Sequence, residues 1–421
     1  MPRMSFIDGG QVAMNYVAPW WLPGGNLQTI WAALRSQRFL GPKPEFRRER
    51  WSTPDSDFVD VDWLVSDAPL RYLGANGNIK SVGSEQFSAG PPQRKLAPEG
   101  LEPAAPNLLE QAWTGDRGEA SREPRPARPR ELHAVKSVGV PLLVIFHGLE
   151  GSSASHYVEA FADVARSHGW ACAVPHFRGC SGDANLAPRA YHSGDFAEID
   201  WILRRFASQH GGPVVAVGIS LGGNALMRWA GEMGAEAGQV LAGLAAVCSP
   251  LDLTASGWAI SRGFNRQVYN RMFLKTMVPK ALRKLEQHPG LFDRDRLLAA
   301  RDLHDFDNVF TAPLHGFKDA DDYWARASAK PHLHRIAIPA LALNALNDPF
   351  IPASSLPNAA DVSRHVTLWQ PAQGGHAGFP SSPFPGHVRA MPEAVTAFLA
   401  AQLEARAHQA SPIKTRQSGA K

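Results

Sequence analysis

The sequence predicts an α/β fold, with a mostly parallel central sheet, helices on both faces and a helical cap. Three observations predict it. Continuous apolar runs such as Leu142-Leu143-Val144-Ile145-Phe146 mark strands buried on both faces. These runs alternate with stretches of helical periodicity, the pattern of parallel strands joined by helical crossovers. One run, residues 213–217, leads directly into Gly218-Ile219-Ser220-Leu221-Gly222 and then into a helical stretch. That is the strand–turn–helix setting in which a G-x-S-x-G serine acts as a nucleophile.

The elements follow in order. Residues 1–66 read as an N-terminal lead-in with the first strands. A turn over Pro19-Trp20-Trp21-Leu22-Pro23-Gly24-Gly25 opens a short helix at Asn26, and residues 51–65 alternate apolar and polar after a Pro-Asp-Ser-Asp turn. Residues 67–136 hold Pro91, Pro92, Pro98, Pro103, Pro106, Pro124, Pro126 and Pro129 among many Gly, Glu and Arg. Such a segment buries too little apolar surface to offset its ordering entropy, so it reads as a disordered insertion. Residues 137–249 form the first half of the core. Strands are expected at 140–146, 170–174, 213–217 and 241–247, with helices at 156–168, 195–206 and 224–233. Residues 250–337 break the alternation and read as a helical cap. Residues 338–407 complete the core, with strands at 340–344 and 365–369 and a closing helix at 392–404. Pro392 lies near that helix's first turn, where its missing N–H costs nothing. Residues 408–421 read as a loose tail.

Composition narrows the function. The net charge of +4 is small, and part of it comes from Lys414, Arg416 and Lys421 in the tail. Cations are not clustered on one face, which argues against nucleic-acid binding. The three cysteines, Cys172, Cys180 and Cys248, match no zinc or redox spacing. Cys172 and Cys248 fall in apolar strands and read as buried. Cys180, in a turn after Arg178-Gly179, is the one expected to reach the surface. No secretory leader and no membrane-length apolar run is evident, so a cytoplasmic protein without stable membrane insertion is expected. The sequence carries no signal for an oligomeric state.

The serine motif sets the chemistry. Gly218 and Gly222 let the chain fold back around Ser220, and Gly223 admits close helix packing. The helix N-terminus favours developing negative charge. A tetrahedral oxyanion needs two N–H donors. Leu221, after the serine, is one. Leu149, in the loop His147-Gly148-Leu149-Glu150 past the strand 142–146, is the other. His147 precedes the serine and is read as shaping that loop. In the chain order Ser, Asp, His, Asp348 follows the strand 340–344. His376 follows the strand 365–369 in a Gly-rich loop. His376 is the expected base and Asp348 its orienting acid, with Asp252, past the strand 241–247, as the rival acid. Asp195 and Asp200 read as a helix start and a surface charge. No cofactor or metal is required.

Together these residues resemble the YheT-like branch of the α/β-hydrolases, related to embryogenesis-associated proteins and ABHD lipases. The resemblance rests on Leu22-Pro23-Gly24-Gly25-Asn26-Leu27-Gln28-Thr29-Ile30, Asp60-Val61-Asp62-Trp63, Phe146 to Ser153, Phe177-Arg178-Gly179-Cys180-Ser181-Gly182 and Gly218 to Asn224. It extends to Tyr323-Trp324-Ala325-Arg326-Ala327-Ser328, Asn347-Asp348-Pro349-Phe350 and Gly374 to Phe379. It covers nearly the whole chain except residues 67–136 and the tail. It implies the α/β-hydrolase fold, a Ser220–Asp348–His376 triad, and hydrolysis of a small-molecule ester or acylglycerol through an acyl-enzyme. The insertion departs from the family pattern. Trp258, Phe264, Phe273 and Tyr323 of the cap either line an acyl pocket or only bury the cap. The same triad also serves thioesterases and peptidases, and a non-catalytic binding module is the reading from another class. The run Pro124-Arg125-Pro126-Ala127-Arg128-Pro129-Arg130 reads either as part of a tolerated surface loop or as a polyproline II docking segment.

Overall fold

The computed structural model describes residues 5–7, 11–13, 16–65, 71–73, 79–81 and 139–410. The chain divides into two units, residues 1–82 with 136–421, and residues 83–135. The second unit, the Pro-Arg run and residues 411–421 lie outside the described residues.

Strands β1 (Ser5–Ile7) and β2 (Gln11–Ala13) form a small antiparallel pair. Helix α1 (Gly25–Arg35) follows the Pro-Gly-Gly turn. Strands β3 (Phe46–Ser52) and β4 (Phe58–Leu64) form a hairpin around the Pro-Asp-Ser-Asp turn. The sequence reading found β4 and missed β3, whose FRRERWS has no apolar run. It is the edge strand of the sheet, and its charges are paired across the hairpin, Arg48 to Asp62 and Arg50 to Asp60, each at 2.7 Å. Within the stretch expected to be disordered, β5 (Arg71–Leu73) and β6 (Ile79–Ser81) pair antiparallel.

The core then alternates: β7 (Leu142–Phe146), α2 (His156–Ser167), β8 (Ala171–Pro175), α3 (Phe196–Gln209), β9 (Val214–Ile219), α4 (Leu221–Met233) and β10 (Gly243–Val247). Strands β11 (Ala340–Leu343) and β12 (Val366–Trp369) complete the sheet. Its order is β12-β11-β10-β9-β7-β8-β4-β3, with β4 antiparallel to both of its neighbours, β3 and β8, and every other pairing parallel. The expected α/β architecture is therefore present. Successive side chains enter opposite faces, because strand periodicity is two. Leu142, Val144 and Phe146 pack with Ile199, Ile202 and Trp229 of α3 and α4. Leu143 and Ile145 pack with Val158 and Phe161 of α2 and with Met391 and Val395. Those last two belong to the closing helix Ala390–Ala410, which runs past the expected end at 404.

Helices Leu253–Ile260, Arg271–Gln287, Arg294–Leu298, Leu303–Phe306 and Ala320–Ala327 fill the stretch between β10 and β11. Among the described residues, no helix is long and apolar enough to cross a membrane.

Candidate active site

Ser220 occupies the turn between β9 and α4 at φ 54° and ψ −122°. A non-glycine residue rarely holds a positive φ, and here the surroundings over-determine it. The Ser220 N–H donates to Val247 O (2.8 Å), and its carbonyl accepts from Gly223 (3.0 Å) and Asn224 (3.1 Å). The flanking glycines are sterically required. A Cβ on Gly218 would lie 2.5 Å from Gly222 O, and one on Gly222 2.5 Å from the carbonyl oxygens of Phe146 and His147. Asn224 is fully buried and ties the start of α4 to the cap junction. It donates to Ser193 O (3.0 Å) and Ala327 O (2.9 Å) and accepts from Ala329 N–H (2.9 Å).

The loop after β7 faces this turn. Two tyrosine hydroxyls bracket it: Tyr157 accepts the Gly148 N–H (2.9 Å), and Tyr191 accepts the Glu150 N–H (3.0 Å). Burial raises both phenols, so they remain neutral hydroxyls. Between them the Leu149 N–H has no partner among the described residues, and neither does the Leu221 N–H at the start of α4. Sequence reasoning missed both tyrosines. Tyr157 falls inside the helix expected at 156–168, where the sequence gives its hydroxyl no task, because a hydroxyl's partner is set by the fold. His147 is a structural residue of this loop. Its Nε2 accepts the Phe177 N–H (3.1 Å), so Nδ1 carries the proton and donates to Gly148 O (2.8 Å). Complete burial pushes it down to about 3, keeping it neutral.

Asp348 and His376 come from the loops after β11 and β12. Asp348 Oδ2 bonds His376 Nδ1 at 2.9 Å, and Asp348 Oδ1 accepts the Phe350 N–H (2.8 Å). The Asp348 carboxylate is fully buried, and the His376 ring is 11% exposed against Phe350. Asp252 is engaged elsewhere. It caps the helix Leu253–Ile260, accepting from the Ala255 N–H at 3.0 Å. Asp195 caps α3, and Asp200 accepts from Trp229 Nε1.

Ser220, Leu149, Leu221 and His376 all line one cavity of about 370 Å³. Its wall is mostly apolar, with Phe273, Met277, Phe306, Phe310, Tyr323 and Phe350 among its residues. Two of the four cap aromatics singled out in the sequence, Phe273 and Tyr323, are in that wall. Trp258 instead stacks on His304 and meets Trp324 edge-on, and Phe264 is 54% exposed. Cys180, expected at the surface, is buried in the wall, 3.8 Å from Lys280 Nζ, and burial pushes its thiol up to about 12. The cap lies over the turn that the sequence reading took as open.

Cys248, Asp348 and His376 offer donor atoms within 4.8 Å of one another, a potential metal set. Those atoms are already committed. Cys248 Sγ accepts the Ala377 N–H (3.2 Å), and Asp348 holds His376 directly. Burial raises the Cys248 thiol well above its usual range, whereas a metal takes the thiolate. The cluster fits a hydrogen-bonded site better than a metal centre.

A serine turn at the carboxyl edge of a parallel sheet, with His376 in the same cavity and bonded to a buried Asp348, defines a class of α/β enzyme. The chain belongs to the α/β hydrolase fold family, whose pattern matches residues 141–383. Within it the chain falls in the YheT-like branch. It is 35% identical over 290 residues to YheT of Escherichia coli (strain K12), covering 68% of this chain and 78% of YheT. Phospholipase ABHD3 of Mus musculus is 28% identical over 270 residues, 63% of this chain and 64% of that protein. Embryogenesis-associated protein EMB8 of Picea glauca is 28% identical over 248 residues, 58% of this chain and 54% of EMB8.

Proposed function

We propose that this protein hydrolyses carboxylic esters through an acyl-enzyme on Ser220. The observation that carries the reading is convergence. A serine at a strained helix-start turn and a 2.9 Å His376–Asp348 pair belong to separate strand ends, yet Ser220 and His376 line one cavity. The names of relatives support the ester class: ABHD3 is a phospholipase, and the name of YheT includes esterase.

In the first step His376 Nε2 takes the Ser220 Oγ proton as Oγ bonds the ester carbonyl carbon. Asp348 at Nδ1 fixes the tautomer and stabilises the imidazolium. The carbonyl oxygen gains the negative charge, and the unspent N–H groups of Leu149 and Leu221 receive it. The carbon–oxygen bond to the alcohol then breaks, and His376 returns its proton to the departing alkoxide. Water repeats the sequence on the acyl-enzyme, releasing the acid and restoring Ser220. The apolar wall suits an acyl chain, so the substrate is a small ester or acylglycerol. A cytosolic location belongs to the same proposal. The three cysteines are unpaired and buried, which suits a reducing compartment.

The test is hydrolysis of p-nitrophenyl esters from acetate to palmitate by wild type and Ser220→Ala. Turnover that vanishes in the variant is the expected result, with the preferred chain length reporting the cavity. Turnover unchanged in the variant would sink the reading.

A further inference from the structure

The motif from Leu22 to Ile30 lies outside residues 141–383, and the mechanism above gives it no task. Its side chains nevertheless converge on the loops that carry the acid and the base. Gln28 is fully buried, and both ends of its amide are spent. Its nitrogen donates to Leu22 O (2.9 Å) and Gln373 Oε1 (3.1 Å). Its Oε1 accepts from the Gly374 N–H (3.0 Å) and from Asn347 Nδ2 (3.0 Å). Thr29 Oγ1 accepts the backbone N–H of His376 itself at 2.8 Å and donates to Gly25 O at 2.7 Å. Asn347, the neighbour of Asp348, closes the ring by accepting the Gly375 N–H on Oδ1 (3.0 Å).

Close backbone approach makes this possible. A Cβ on Gly25 would lie 1.8 Å from Asn347 O, so only glycine fits there. Gly375 holds φ +62°, and a Cβ on it would meet Gly25 O at 2.8 Å. Neither Gln28 nor Thr29 lines the cavity. They reach the chemistry only through the two loops, and a buried amide with every bond made has one low-energy placement.

We propose that the first turn of α1 is a positioning device for the acid and the base. Gln28 and Thr29, with Asn347, hold Asp348 and His376 in register with Ser220. Proton transfer demands such register, because a displacement of about 1 Å costs about 100-fold in rate. The inference rests on the serine hydrolase reading. It adds that an N-terminal segment, remote in sequence from the triad, sets the rate of that chemistry.

The experiment compares full-length wild type, Thr29→Val and Thr29→Ser. It reads the rate of fluorophosphonate labelling and the kcat and KM for a p-nitrophenyl ester. Thr29→Val is expected to lower kcat and the labelling rate about 10-fold or more, with KM changed less than about 2-fold. Thr29→Ser, which keeps the acceptor oxygen, is expected to restore kcat to within about 3-fold of wild type. Labelling of Thr29→Val at the wild-type rate would overturn the proposal, and so would a Thr29→Ser as slow as the valine variant. If Thr29→Val does not fold, Asn347→Ala serves the same comparison. A kcat loss at constant KM supports the device, and a wild-type kcat overturns it. A folded wild type that neither labels nor turns over would remove the hydrolase reading itself and the inference with it.

Discussion

Ser220 and His376 line the same cavity, yet the chain holds them by different means. The serine turn is built by its chain neighbours and by the backbone of the adjoining strands: strand β9 before it, helix α4 after it, Val247 O of β10 accepting its N–H, and glycines at 218 and 222 where any side chain would strike backbone. The histidine loop is built from afar. Its N–H groups at 374, 375, 376 and 377 are taken by Gln28, Asn347, Thr29 and Cys248, with Gln28 and Thr29 more than 340 residues distant in sequence. A locally encoded turn keeps its geometry as long as strand and helix form. A remotely held loop keeps its geometry only as long as several side chains meet. The first should therefore be hard to loosen without unfolding, and the second easy to detune in a folded protein.

Four substitutions break or sharpen that contrast. The largest effect is expected at the proposed Ser220–Asp348–His376 triad. Asp348→Asn should cut kcat by on the order of 10⁴ while leaving the fold intact, as removing a histidine's orienting carboxylate does elsewhere. Steady-state kinetics on the folded variant check this. Next comes the local turn. Gly222→Ala places a Cβ 2.5 Å from two carbonyl oxygens, so a loss of about 3 kcal/mol in urea unfolding is expected. Native stability in that variant would mean that the serine turn is not rigidly encoded.

A third change separates the cavity wall from both anchors. Burial pushes Asp307 up to about 6 from its usual 3.8, although Thr311 and Trp324 donate to it. The folded state therefore holds this proton more tightly than the unfolded chain, and the fold loses stability as pH rises from about 4 to about 6. Asp307→Asn cannot ionise. The melting temperature of the variant relative to wild type should climb across that window and then level off above it. A difference that does not vary with pH would contradict the assignment. The smallest effect is expected from Asp252→Ala. Loss of a helix cap should cost about 1 kcal/mol in thermal or urea unfolding, with kcat close to wild type. A large kcat loss there would return Asp252 to the candidate acids.

The same contrast explains what was legible in the sequence. The sheet's central strands were readable because burial on both faces writes a continuous apolar run, as in residues 142–146. Ser220, Asp348 and His376 stood out as candidates because each follows such a run in a short turn-rich segment. Strand β3 was not, since an edge strand carries paired charges in place of an apolar pattern. Tyr157, Tyr191, Gln28 and Thr29 were not assigned roles, because a hydroxyl or amide acquires its task from a partner that only the tertiary fold supplies. Cys180 was misread for the same reason: its turn is covered by the helix Arg271–Gln287 through Lys280.

The central claim is that Ser220 carries the acyl group. Rapid acid quench of the enzyme during turnover of a p-nitrophenyl ester, followed by peptide mass mapping, tests it most directly. The account predicts one acyl adduct on the peptide containing Ser220, absent from Ser220→Ala together with turnover. An adduct on another residue, such as Cys180, or full turnover in Ser220→Ala would contradict it.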